Sequence, residues 1–235
     1  MSNPLLLLLR LEGPLQSWGT RSRWDVRDSA PEPTKSGIIG LLGCAMGIPS
    51  RDRRLQDELD ASLMLGVRVE SPGLPLVDFH TITGMLPRAD GGFKGSPDDP
   101  ATIISPRTYL QDAAFLAVLG GPEDLIRRCH DAVLDPQWPV YLGRKCCVPT
   151  RPIVDELTDR YLGIEDALRR HPWSCQWLGH RNQGPPPSLE CTLDDPAGPH
   201  QRLDAVRINP ARMYGFRTVR TFTIQPPIQE VAPCS

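Results

Sequence analysis

The chain of 235 residues is long enough for one domain of ordinary size, or for a compact domain with a smaller one appended. With 40% hydrophobic and 23% charged residues it excludes wholesale disorder, and 26 Pro with 20 Gly favour many short elements over long bundled helices. The net charge of −2 argues by itself against a nucleic-acid partner, yet the basic side holds only three lysines (Lys35, Lys94 and Lys145) beside 23 arginines, a bias that codon usage explains as readily as a need for guanidinium forks.

Residues 5–11 read as a buried strand, because the run is continuously apolar, too short for a helix and followed by Gly13 and Pro14. It is far shorter than the roughly 20 residues that span a bilayer. It has no preceding positive residue and no cleavage site, so a cytoplasmic product is expected. Thr34 and Ser36 are capping candidates for a helix over 37–48, with Gly40, Gly43 and Gly47 interleaved among its apolar positions. Those glycines imply close packing of backbone against backbone or ligand. Ser50 then caps a short polar helix to about residue 62, and 63–69 alternates as a second strand.

Over 84–106, glycines and prolines break every periodicity, which predicts a projecting hairpin or arm. Residues 109–119 return to strand, a helix opens at Pro122 with Glu123 and Asp124 in its first turn, and 140–148 reads as a fourth strand. The order β-α-β-β-α-β is that of a ferredoxin-like or RNA-recognition-like α+β domain over 1–150. A smaller, irregular, β-rich C-terminal region follows over 151–225, and 226–235 is expected to be a disordered tail. Residues 152–198 are net acidic, suiting solvent or protein partners, whereas 202–220 carries Arg202, Arg207, Arg212, Arg217 and Arg220 against Asp204 alone.

The chemistry is narrowed mostly by exclusion. No dinucleotide or P-loop fingerprint is present. Seven cysteines without a C-x-x-C pair suggest neither a disulfide framework nor a zinc ribbon, and the mixed group His171, Cys175, His180 and Cys191 matches no common zinc spacing. No metal or cofactor is expected. Thr34, Lys35, Ser36 and Gly37 place a cation and two hydroxyls at a helix N-terminus, which suits either a phosphate or a plain cap. His80, beside Asp78 and Phe79, is a lone histidine that could act as a general base or serve structure only. Trp18, with Gln16, Ser17 and Arg21, either stacks against single-stranded RNA or plugs the domain edge.

Five blocks, 9–19 (LRLEGPLQSWG), 33–43 (PTKSGIIGLLG), 78–81 (DFHT), 107–115 (RTYLQDAAF) and 141–145 (YLGRK), together resemble the CasD family, the RAMP-superfamily subunit of the type I-E CRISPR Cascade complex. The resemblance spans residues 5 to about 152. It implies a ferredoxin-like RAMP domain with a β-hairpin thumb at about 80–107, which binds the 5′ handle of the CRISPR RNA. It also implies a non-catalytic role, a cap on the filament of backbone subunits and a large subunit docked nearby. The RNA contacts expected on this basis are Gln16, Ser17, Trp18, Arg21, Thr34, Lys35, Ser36, Gly37, His80, Arg107, Tyr109, Arg144 and Lys145. The alternative is a metal-independent endoribonuclease acting on CRISPR repeat RNA through His80.

Overall fold

The N-terminal apolar run forms β1 (Leu6–Glu12) and is buried on both sides. Leu7, Leu9 and Leu11 enter one hydrophobic cluster, and Leu6 and Leu8 enter another across the sheet. A strand covered on both faces needs no polar alternation, which is why its sequence is continuously apolar. The structure is a computed structural model describing residues 2–20, 27–88, 90–175 and 184–227.

After β1 come the two-residue β2 (Leu15–Gln16), helix α1 (Lys35–Ala45), a π-helical turn (Leu55–Asp60) and β3 (Met64–Ser71). The long excursion follows as β4 (Leu74–Gly84), the short β5 (Leu86–Pro87) and β6 (Phe93–Lys94), and the returning β7 (Ala101–Gln111). Then come β8 (Ala114–Gly120), α2 (Glu123–Leu134), β9 (Val154–Thr158), α3 (Ile164–Arg170), β10 (Leu189–Asp194), β11 (His200–Asn209) and β12 (Ala211–Ile224). Seven strands form one sheet in the order β11-β12-β10-β3-β8-β1-β9, each pair antiparallel. Residues of α1, the π-helical turn and α2 pack on the Leu7 and Leu9 face, and α3 covers the Leu6 and Leu8 face.

The excursion is an eleven-residue by eleven-residue ribbon in which Leu74 pairs Gln111 and Gly84 pairs Ala101. Its stem therefore reaches beyond the 80–107 expected. Three other expectations are corrected. The run 109–119 is two strands, because Asp112 takes a positive φ of 56° and turns the chain from the ribbon into the main sheet. The polar helix expected from Ser50 starts later, at residue 54, and reaches 62 as expected, but is π-helical over Leu55–Asp60. Residues 140–148 form no strand: Leu142 and Cys147 are buried, but the chain turns through Gly143 at φ 91° and bonds Cys147 N to Arg144 O. The strand beside β1 is β9 instead.

The opposed charges that are separate in sequence meet in space. Lys35 Nζ lies 3.2 Å from Asp194, and Arg217 bridges Asp194 and Asp204. Arg220 pairs with Glu165 and Asp195, Arg202 with Glu32, and Arg207 with Asp60. Asp194 and Asp60 also accept backbone N–H bonds from Leu65 and Val206, at 3.0 and 3.1 Å. These contacts fasten β10–β12 to the rest of the fold, so the acids of the 152–198 stretch that face β12 are partnered internally and are not free for other molecules.

Candidate nucleic-acid interface

A groove of about 530 Å³ opens between α1, the loop after β2, the segment 138–144 and the start of β12. The loop is held by backbone bonds from Ser17 N to Leu142 O and from Ala30 N to Trp18 O. Arg27 joins the far wall: its N–H donates to Pro106 O and its carbonyl accepts from Thr108 N. Arg107, Arg144 and Arg212 complete a set of four arginines in the lining, which among the described residues contains no carboxylate. Among the described residues, every arginine lies within 4.0 Å of an acidic side chain except Arg27, Arg51, Arg107, Arg144 and Arg212. Four of those five line this one groove.

The guanidiniums are positioned by neutral acceptors. Arg144 donates to Thr108 O at 3.1 Å and to Arg27 O at 3.0 Å, and lies 4.5 Å over the Tyr109 ring. Arg212 donates to Ser36 O at 2.6 Å, and burial pulls its pKa below the ordinary arginine value. Arg107 Nε is buried with no hydrogen-bond partner. Uncompensated positive charge in a concave surface concentrates a field that attracts an anionic chain. Trp138, Tyr141 and Tyr214 line the same groove, with Trp138 44% and Tyr214 40% exposed. Arginine forks interleaved with aromatic faces form the combination that holds single-stranded nucleic acid by phosphate contact and stacking.

The residues expected from sequence divide sharply. Ser17, Trp18, Thr34, Ser36, Gly37, Arg107 and Arg144 line the groove. Gln16 does not: it is fully buried, donating to Leu11 O and Ala113 O and accepting from the Trp18 indole N–H. Trp18 is floor, not stacking platform, since it is 1% exposed and packs so tightly on α1 that a Cβ at Gly37 would stand 2.7 Å from its ring. Lys35 turns to Asp194 on the other side of the helix. The anion at the α1 N-terminus is likewise internal: Asp204 accepts from Lys35 N at 3.0 Å, and Thr34 caps Gly37 N. Tyr109 is buried beneath Arg144, and Lys145 is exposed near Cys44, whose thiol is pushed up by burial and partly drawn back by that charge. Arg21 lies outside the described residues.

These features coincide with a family assignment. A model described as CRISPR-associated protein (Cas_Cas5) matches residues 6–220. The chain belongs to the CRISPR-associated Cas5 family. It is 34% identical over 158 residues to the CRISPR system Cascade subunit CasD of Escherichia coli (strain K12), covering 63% of this chain and 68% of that protein. A chain of a solved CRISPR RNA-guided surveillance complex superimposes with a TM-score of 0.73 at 31% identity, over 94% of this chain and 91% of that one. A crystal structure of a Cas protein gives 0.69 at 34% identity, over 97% and 100%.

Within this Cas5 chain, His80 stands on the ribbon outside the groove lining, its Nε2 2.6 Å from Asp78 and 3.5 Å from the Tyr109 hydroxyl. The former zinc candidates are dispersed among structural partners. His171 binds Asp155 at 2.7 Å and the Tyr161 hydroxyl at 3.0 Å, and Cys191 lies within β10. His180 lies outside the described residues. Arg27, Trp138, Tyr141, Arg212 and Tyr214 were missed as site residues. The mixture of Arg and aromatic residues in 202–220 was the available signal, but it did not separate Arg212 from the four arginines that pair internally. No described helix is long and apolar enough to cross a membrane.

Proposed function

We propose that this Cas5 chain is a non-catalytic subunit of a type I-E Cascade surveillance complex that holds the 5′ handle of the CRISPR RNA in the arginine groove. The observation that carries the reading is the concentration of carboxylate-free arginines along one concave surface. An RNA backbone supplies the anions that the fold does not. The name of the Escherichia coli relative supports membership of a Cascade, and the solved RNA-guided complex supports an RNA partner. The strands β9-β1-β8-β3, with α1 and α2 crossing one face, support a ferredoxin-like RAMP core, with the β4–β7 ribbon as its thumb and 151–225 as its C-terminal region. The ribbon's exposed Val77, Phe79 and Ile104 suit a backbone subunit next in the filament, and the large subunit docks nearby, in the cytoplasm.

The test is binding of the full-length chain to a synthetic RNA carrying the repeat-derived handle, over a range of salt. Tight, salt-sensitive binding that falls with Arg107→Ala and Arg144→Ala is expected. Binding untouched by both substitutions overturns the groove as the site. The Asp78–His80–Tyr109 contact favours a second reading, a metal-independent ribonuclease, because a carboxylate-oriented imidazole can move a proton. Cleavage of repeat RNA that is abolished by His80→Ala would replace the non-catalytic reading.

A further inference from the structure

The α1 residues that line the groove, Ser36, Gly37, Gly40, Leu41 and Cys44, recur at steps of one and three, so the groove follows one face of the helix for two turns, about 12 Å. At the N-terminal end of α1 stand Arg27, Arg107 and Arg144. They are tied to the helix through Ser17 and Trp18: Ser17 Oγ donates to Thr108 O, the carbonyl that Arg144 also binds, and the Trp18 ring packs on Gly37. At the C-terminal end, Cys44 Sγ donates to Pro139 O at 3.3 Å beside Trp138, and the lining continues past the helix to Ile48 and Ser50. Arg212 turns its terminal nitrogens to the helix backbone, one of them onto Ser36 O, and so contributes charge to the wall.

Uncompensated charge is not confined to the N-terminal end. Among the described residues, Arg51 is the arginine that lacks an acidic side chain within 4.0 Å and yet lies outside the lining; it is exposed and follows Ser50 directly. Its neighbours Arg53 and Arg54 are paired with Asp57 and Asp52 at 3.1 and 2.8 Å. Lys145, also exposed, adds its charge near Cys44. We propose that a single RNA strand runs the length of α1, from Arg27, Arg107 and Arg144 at its N-terminal end, and leaves past Ser50 onto Arg51. The inference rests on the reading of the groove as an RNA site and goes further by giving the strand its course and its exit. Phosphates of a stacked strand are about 3.4 Å apart, so about four nucleotides cover the helix face, and a shorter RNA held by the three arginines stops before residue 51. A field continued at both ends of the helix suits a strand passing through, whereas charge at one end alone would suit a terminus.

The experiment measures binding of the full-length chain to oligoribonucleotides of increasing length as a function of salt. For RNAs longer than about four nucleotides, Arg51→Ala is expected to lower the slope of log affinity against log salt by about 0.7, the value of one single-strand phosphate contact. That loss is expected to add to the loss on Arg107→Ala, because the two residues are separated by the helix length. For shorter RNAs only Arg107→Ala is expected to have an effect. Arg51 is exposed, so its replacement spares the core, and thermal melts of both variants check the fold. An Arg51→Ala variant that keeps the parent's affinity and salt slope on long RNA, or that loses equally at every length, overturns the exit past Ser50. A parent chain that binds no RNA, or binds it with no loss on Arg107→Ala, overturns the RNA reading itself.

Discussion

At the level of single residues, Gln16 and Arg107 make opposite predictions although both sit in motif blocks. Arg107 lines the groove with a buried, unpartnered Nε and no ion pair within 4.0 Å among the described residues, although Asp78 is its register partner across the ribbon. Arg107→Ala is expected to weaken handle RNA binding and to lower the slope of log affinity against log salt by about 0.7, the value of one single-strand phosphate contact. Gln16 holds together β1, the start of β8 and the Trp18 indole from a fully buried position. Gln16→Ala leaves those groups unsatisfied and is expected to cost about 1–3 kcal/mol in urea unfolding, with the salt slope unchanged. The motif blocks drew no such distinction. A side chain required by packing and one required by a ligand are equally restricted in type, and only burial separates them.

Among the elements, the β4–β7 ribbon was legible because glycine and proline leave chemical traces in a sequence, whereas the fourth strand beside β1 was not. Residues 140–148 carry the apolar alternation of a strand yet turn at Gly143, whose position is so crowded that a Cβ would stand 1.7 Å from Ser17 O. The strand that does pair there, β9, is a half-buried edge of sequence VDELT, and polar edge residues erase the hydrophobic signal. The same reasoning predicts how the ribbon behaves. Val77 and Phe79 are exposed, so replacing both by Ser is expected to leave urea stability within about 0.5 kcal/mol, while lowering incorporation into the assembled complex as read by co-purification. On α1, Gly37→Ala meets the buried Trp18 ring and is expected to destabilise by about 1–3 kcal/mol in the same assay.

Across the whole molecule, the net charge of −2 describes neither the interior nor the groove. The 202–220 arginines looked like a basic strand because sequence distance hides Glu32, Asp60, Glu165, Asp194 and Asp195, which neutralise four of them. Such pairing makes the fold sensitive to acid. Burial alone would raise the carboxyl of Asp155, but the His171 hydrogen bond and the Arg10 charge outweigh it and hold the group below the usual aspartate range. A folded value below the unfolded one stabilises the protein fully above the ordinary 3.8 and is lost as the pH falls toward the folded value. Asp60 is shifted upward by burial, so acidification through its raised value relieves a cost of ionisation in the fold. Urea midpoints are expected to fall as the pH drops below about 4, and Asp155→Asn is expected to flatten that decline by removing the group that must be protonated.

The insertion of β10 between β3 and β12 has a consequence for the order in which the protein is made. Trp18, the α1 backbone and Arg107 leave the ribosome well before Arg212 and Tyr214, which lie on the last described strand. A chain arrested or clipped before residue 211 lacks one end of the groove and the arginine that covers Gly40. Completion of β12 thus becomes a condition for a finished groove.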